Sequence, residues 1–266
     1  MNLIDDQSTL IRLIIISILL LIILIGSFKK KKFKIDKFFI LLILITILPG
    51  LTLSFYKAIT LLLKDFIVYK FLFIGIGIGI PFVYLLKRFL GFSTFEHEAT
   101  HAFVSLLFLR RVTAFVVTKH DGGYIKHTSG FGGRFGDHMI YLAPYFFPLV
   151  IFILVVIRPL LNFNFFPWWD ILIGMWFTFY LFTYLSEIRG QWHRSKFNYA
   201  NSDEVGETDI AHEGFIFSFF FILSMTMFFY GFLLHVIYKE YPGIWEFFRE
   251  IYNQNLLFYN YILPKL

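Results

Sequence analysis

Apolar residues run through this chain in long blocks instead of alternating with polar ones. Six blocks reach or approach the roughly 20 residues a helix needs to cross a hydrocarbon core: 9–28, 38–56, 69–87, 139–158, 169–186 and 214–237. The pattern predicts an all-α polytopic membrane protein of about six spanning helices. Two longer polar connections, 111–138 and 187–213, separate the later blocks. Pro144 and Pro148 remove two amide donors from the block at 139–158 and predict a kink there. The expected organisation is an N-terminal hairpin over 1–68, a membrane-embedded core over 69–237 and an interfacial tail over 238–266, where Trp245, Phe247, Phe248, Phe258 and Tyr261 mix with charges.

Composition agrees. Of 266 residues, 58 % are hydrophobic and 16 % charged, against the quarter or so of charged residues that an ordinary soluble domain carries. The 38 phenylalanines suit lipid-facing helices. The net charge of +6 comes from lysines and arginines at block ends, a topology signal that argues against nucleic-acid binding. "KKKKFK" at 29–34 is the strongest inside signal, whereas Asp5 and Asp6 precede the first block. This sets the N-terminus outside and the third block, ending at Lys87 and Arg88, back at the cytoplasmic face. The first block is too long for a signal-peptide core and lacks a small-residue cleavage site, so it reads as a retained helix. With no cysteine, disulfides and thiolate ligands are excluded.

One stretch breaks the apolar pattern with chemistry. "GFSTFEHEATHAF", 91–103, holds two glutamates and two histidines within six positions. His97 and His101 are four apart and share one helix face, so both imidazoles can converge on one ion. Glu98 stands beside that face, where it can take a proton from a metal-bound water. This is H-E-x-x-H, two zinc ligands and a general base. With eight histidines and nine glutamates in the chain, one chance match is expected on the order of one time in a hundred. Ionisable groups inside apolar helices are also costly and point to function. Gly91 can end the preceding helix, and Ser93 with Glu96 forms an S-x-x-E capping box, which starts the zinc-binding helix near the membrane surface.

A catalytic zinc ion wants a third protein ligand. Asp121, Asp137, Asp170, Glu187, His193, Asp203, Glu204, Asp209, His212 and Glu213 all offer one. Asp170 can instead cap a helix in "PWWD", and Asp209, just before the last apolar block, can meet the metal from the membrane edge or act as a helix-start acid. Topology weighs between them. The helix 93–110 has eighteen residues, roughly 27 Å at 1.5 Å each, barely enough to cross. A crossing helix makes Asp170 the nearer ligand. A shallow one leaves both polar connections cytoplasmic, obeys the positive-inside rule and allows Asp209; we adopt it. Between the motif and the fourth block, β-branched and aromatic runs at 111–119 and from Tyr124 flank Asp121-Gly122, a hairpin turn signal. The edge of such a hairpin can hold an extended peptide. The glycine-rich stretch 129–138 reads as a flexible linker.

These residues resemble the site-2 protease family of membrane-embedded zinc metalloproteases, in a short form without PDZ or CBS domains. The resemblance covers about 69–237 and rests on "HEATH" at 97–101, "HDGGYIK" at 120–126 and "YLAPYFFP" at 141–148. It implies one Zn2+ ion held by His97, His101 and Asp209, Glu98 as base, and Gly122, Gly123 and Tyr124 beside the substrate path. The larger members' Asn-x-x-Pro-x-x-Asp-Gly pattern around the aspartate is missing, and "LAP" stands where the family has Ala-Gly-Pro. The implied activity is cleavage of a transmembrane or membrane-anchored protein near the cytoplasmic face of a bacterial plasma membrane. The competing readings are another membrane zinc hydrolase, such as a prenyl-protein protease with a glutamate as third ligand (Glu187, Glu204 or Glu213), and a non-enzymatic metal-binding membrane protein.

Overall fold

A computed structural model of the chain describes residues 35–88, 92–118, 123–197 and 209–262. The block 9–28, the basic run 29–34, Gly91 and the turn residues Asp121 and Gly122 lie outside the described residues. The described part is mostly helical: α1 (Ile35–Lys64), α2 (Lys70–Arg88), α3 (Phe92–Leu107), α4 (Gly133–Leu142), α5 (Leu149–Ile157), α6 (Phe166–Phe197), α7 (Asp209–Glu213), α8 (Phe215–Lys239) and α9 (Pro242–Ile262). One antiparallel hairpin, β1 (Val112–Val117) with β2 (Gly123–His127), follows α3 and pairs Val117 with Gly123 and Phe115 with Ile125. The β-branched runs and the turn signal predicted this hairpin.

Among the described residues, two helices, 36–64 and 215–239, are long and apolar enough to cross a membrane; a bent pair, 133–145 with 149–160, makes three if it counts as one span. This is fewer than the six expected among apolar blocks: 70–86 forms a shorter apolar helix, and 9–28 lies outside the described residues. The bend of 90° in the pair sits where the prolines predicted it. α4 ends at Leu142, a short 3-10 turn covers Ala143–Tyr145, and α5 starts after Pro148.

The interruption at Pro49 in α1 shows how the bundle repairs a broken ladder. Proline has no amide hydrogen and pushes on the carbonyl four residues back. Here the Gly50 amide donates to Asn255 Oδ1 at 2.9 Å, and Tyr259 Oη donates to the Thr46 carbonyl at 2.6 Å. Both partners lie on α9, so the chain end expected as an interfacial tail packs against α1 and α8. A Cβ at Gly50 would fall 2.6 Å from the Ile251 carbonyl, so α9 can come this close only to glycine. The same device joins α2 to α6. A Cβ at Gly75 would lie 2.2 Å from the Ile171 carbonyl, and one at Gly174 2.1 Å from the Leu72 carbonyl.

Two apolar clusters make the core. One centres on Leu41, Phe146, Phe217 and Phe221, the other on Leu62, Val155, Ile173 and Leu233; Phe152 and Tyr184 pack against both. The first cluster backs the polar site.

The glycine-rich stretch 129–138 is ordered in part, not a linker throughout. Gly132 and Gly133 take positive φ (84° and 49°), which glycine alone adopts at little cost, and α4 begins at Gly133. Arg110, itself buried, pairs with Asp137 and donates to the Gly133 carbonyl. That clamp ties the start of α4 to the end of α3.

Candidate metal centre

α3 presents the H-E-x-x-H residues. It has 16 residues, about 24 Å at 1.5 Å per residue, short of a hydrocarbon core of about 30 Å. The helix starts at Phe92, one residue ahead of the Ser93 expected to cap it, and Glu96 turns into the buried interior. Its Oε1 accepts hydrogen bonds from Tyr180 Oη (2.6 Å) and Thr100 Oγ1 (3.0 Å). Tyr180 in turn accepts from the Val150 amide, so α3, α5 and α6 meet on one buried carboxylate.

His97 and His101 lie one turn apart with ring centroids 4.9 Å from each other. Their Nε2 atoms stand 3.6 and 3.7 Å from Asp209 Oδ2, and the three donor atoms all lie within 4.8 Å of one another. Ligands at about 2.0–2.1 Å around a tetrahedral zinc ion are separated by roughly 3.4 Å, so this group fits a small divalent metal ion. The tautomer also fits. His101 Nδ1 lies 2.6 Å from the Ile140 carbonyl oxygen; a carbonyl can only accept, so Nδ1 carries the hydrogen and Nε2 is left to face Asp209. On the other side, Tyr145 Oη donates to Asp209 Oδ2 at 3.2 Å and its ring meets His97 edge-on at 5.5 Å. Burial works against ionised Asp209, but the positive charge of the two imidazoles in their protonated form outweighs it and holds the carboxyl well below the usual carboxylate range. The side chains of His97 and Asp209 are 17 % and 29 % exposed, leaving the group open to water.

Glu98 is buried, at 5 % exposure, beneath the hairpin. A Cβ at Gly123 would fall 2.6 Å from Glu98 Cγ and 2.8 Å from the Val116 carbonyl. The glycine is needed there because the first residue of β2 lies directly on the glutamate. Tyr124 is half exposed on the hairpin surface, and Gly122 lies outside the described residues. Next to Asp209, an apolar cleft of about 400 Å3 runs between α6 and α8, with Tyr145, Ile210, Leu181, Phe219 and Ile222 among its walls.

The remaining acids go elsewhere. Asp170 forms a buried pair with Arg158 at 2.7 and 3.2 Å. Asp137 pairs with Arg110. Glu213 is bound to Lys37 and His138, and His212 lies on the exposed side, 3.3 Å from Glu213. Asp121, Asp203 and Glu204 lie outside the described residues, as do the side chains of Glu187 and His193. Sequence reasoning missed Tyr145 and the Ile140 carbonyl. Tyr145 stands inside a quoted motif, "YLAPYFFP", and a hydroxyl in a nearly all-apolar run was the available signal; a backbone carbonyl carries none.

A Peptidase M50B-like family model matches residues 72–190, a match that supports a membrane metallopeptidase. The match covers less than half of the chain and supports a relative of the site-2 protease family. The matched segment contains His97, Glu98, His101, Gly123, Ile140 and Tyr145, but ends before Asp209. No curated protein and no solved structure compared with the chain matches it.

Proposed function

We propose that the chain is an intramembrane zinc endopeptidase that hydrolyses a peptide bond of a transmembrane or membrane-anchored protein near the cytoplasmic face. The observation that carries this reading is the approach of Asp209 Oδ2 to both histidine Nε2 atoms, 3.6 and 3.7 Å away, beside a buried Glu98. His97, His101 and Asp209 would hold one Zn2+ ion. When bound, zinc supplies Lewis-acid activation of water and of the scissile carbonyl.

The rest belongs to the chain's own residues. Glu98 takes a proton from the attacking water and passes it to the leaving amine nitrogen. Its cover by Gly123 keeps bulk water off the carboxylate and fixes its direction. Ile140 holds His101 in the tautomer that points Nε2 at the site, and Tyr145 holds Asp209. A substrate segment unwound from its helix can add to the edge of the β1–β2 hairpin through backbone hydrogen bonds, with Gly122, Gly123 and Tyr124 along its path. The apolar cleft beside Tyr145 suits the side chains of a membrane segment, and the bilayer is the chain's expected solvent. About six spans, with the active site towards the cytoplasm of a bacterial plasma membrane, remain the topology that suits the basic run 29–34. A prenyl-protein protease reading needs a glutamate ligand, and Glu213 is occupied by Lys37 and His138.

Glu98→Gln is expected to abolish cleavage of a transmembrane reporter while purified protein keeps about one zinc per chain. Cleavage by this variant at the wild-type rate would sink the hydrolase reading.

A further inference from the structure

Asp209 sits on a helix that cannot place itself. α7 has five residues, far fewer than the 12–15 or so at which an isolated helix becomes even marginal. It is followed by Gly214 at a φ of 90°, where the chain turns into α8. Something outside α7 therefore sets where Asp209 points.

Four residues after Asp209, one turn away, Glu213 is buried in a cluster of charge. Its Oε2 lies 2.7 Å from Lys37 Nζ and 2.6 Å from His138 Nδ1. Lys37 Nζ also donates to the Glu213 carbonyl, so it grips both backbone and side chain. Lys37, His138 and Glu213 are 6 %, 5 % and 4 % exposed. Asp36 Oδ2 stands 3.6 Å from the other nitrogen of His138, and the Phe217 ring lies under the lysine ammonium and tilted against the histidine. Three elements thus converge on Glu213: the first turn of α1, the middle of α4 and the base of α8. α4 is the shared frame, since two residues beyond His138 its Ile140 carbonyl orients His101.

We infer that the buried Lys37–Glu213–His138 cluster is a latch that positions α7 and so brings Asp209 to the two histidines. The cluster contributes no ligand. Through α4 it references the aspartate half of the site to the element that orients the histidine half, and through α1 it links that registration to the segment following the basic run. Lys37, His138 and Glu213 are positioning residues, and their role rests on the metal reading proposed above.

The test uses the full chain purified in detergent, stripped of metal, with zinc affinity read by chelator competition and Co2+ absorption as the coordination signature. Replacing a buried ion pair by apolar residues often leaves a protein folded, so Lys37→Met/Glu213→Leu is the main variant. It should bind zinc about 10–100-fold more weakly, the range typical for residues that support a ligand, and its Co2+ spectrum should shift towards that of Asp209→Ala. Introduced into Asp209→Ala, the same pair should cause no further loss. Arg158→Met/Asp170→Leu removes the other buried pair, away from α7, and should keep wild-type affinity. Should the main variant not fold, Glu213→Gln carries the same expectation. Wild-type affinity in the latch variant, or an equal loss in the Asp209→Ala background, overturns the latch alone. A wild-type chain that binds no zinc overturns the metal reading and the latch with it.

Discussion

The two halves of the candidate metal centre are built differently. His97 and His101 ride on α3, a 16-residue helix whose periodicity alone places both imidazoles on one face. Asp209 rides on the five residues of α7 and owes its position to contacts from α1, α4 and the Ala143–Tyr145 turn. The histidine half is placed by local backbone geometry, with the Ile140 carbonyl fixing one ring, and the aspartate half by buried side chains from distant parts of the chain. Local construction tolerates the loss of a neighbour; construction by long-range contacts does not.

Removing ligands tests this contrast most strongly. His101→Ala and Asp209→Ala should each weaken zinc binding by more than about 100-fold, beyond the range of supporting residues. His101→Ala should be the worse, because Asp209→Ala still leaves a two-histidine chelate on a rigid helix. Chelator competition ranks them, and an aspartate variant weaker than the histidine variant would break the comparison.

A smaller effect belongs to acid. Burial raises the Glu213 pKa, but hydrogen bonding and charge from His138 and Lys37 outweigh it and bring the carboxyl from 4.5 down to about 2. A carboxyl with a depressed folded-state pKa contributes stability that is present above its unfolded pKa and lost as pH falls through the folded one. Thermal unfolding in detergent should therefore show the wild type losing stability between pH 4.5 and about 2 more steeply than Glu213→Gln. Parallel curves would mean that Glu213 is not held ionised by its partners.

The smallest change is Tyr145→Phe. It deletes one hydrogen bond to Asp209, worth about 1 kcal/mol net, so zinc affinity should fall about fivefold with little change in unfolding temperature. A loss as large as that of Asp209→Ala would give Tyr145 a larger part than holding the carboxylate.

Several features were legible because their causes are local. The H-E-x-x-H spacing, the β-branched runs around Asp121-Gly122 and the pair Pro144 and Pro148 each act within a few residues, and the motif helix, the hairpin and the 90° bend stand where those signals lie. The glycines of 129–138 read as slack in the sequence, whereas Arg110, just beyond α3, fastens Gly133 and Asp137 in the fold. Gly75 and Gly174 could have been noticed as small residues in apolar blocks, but nothing in either block names its partner.

By itself the sequence determined the membrane character of the chain, the identity and spacing of two histidines and a glutamate, and the family they resemble, since apolar block length and helical period are properties of contiguous residues. Only the tertiary structure decided which acid stands beside the histidines. On paper the shallow-helix topology and the family resemblance favour Asp209 over Asp170, but neither places a carboxylate in space. Arg158 takes Asp170 into a buried pair, while Tyr145, Lys37 and His138 hold α7 so that Asp209 meets Nε2 of both histidines, and such choices depend on contacts between residues far apart in the chain.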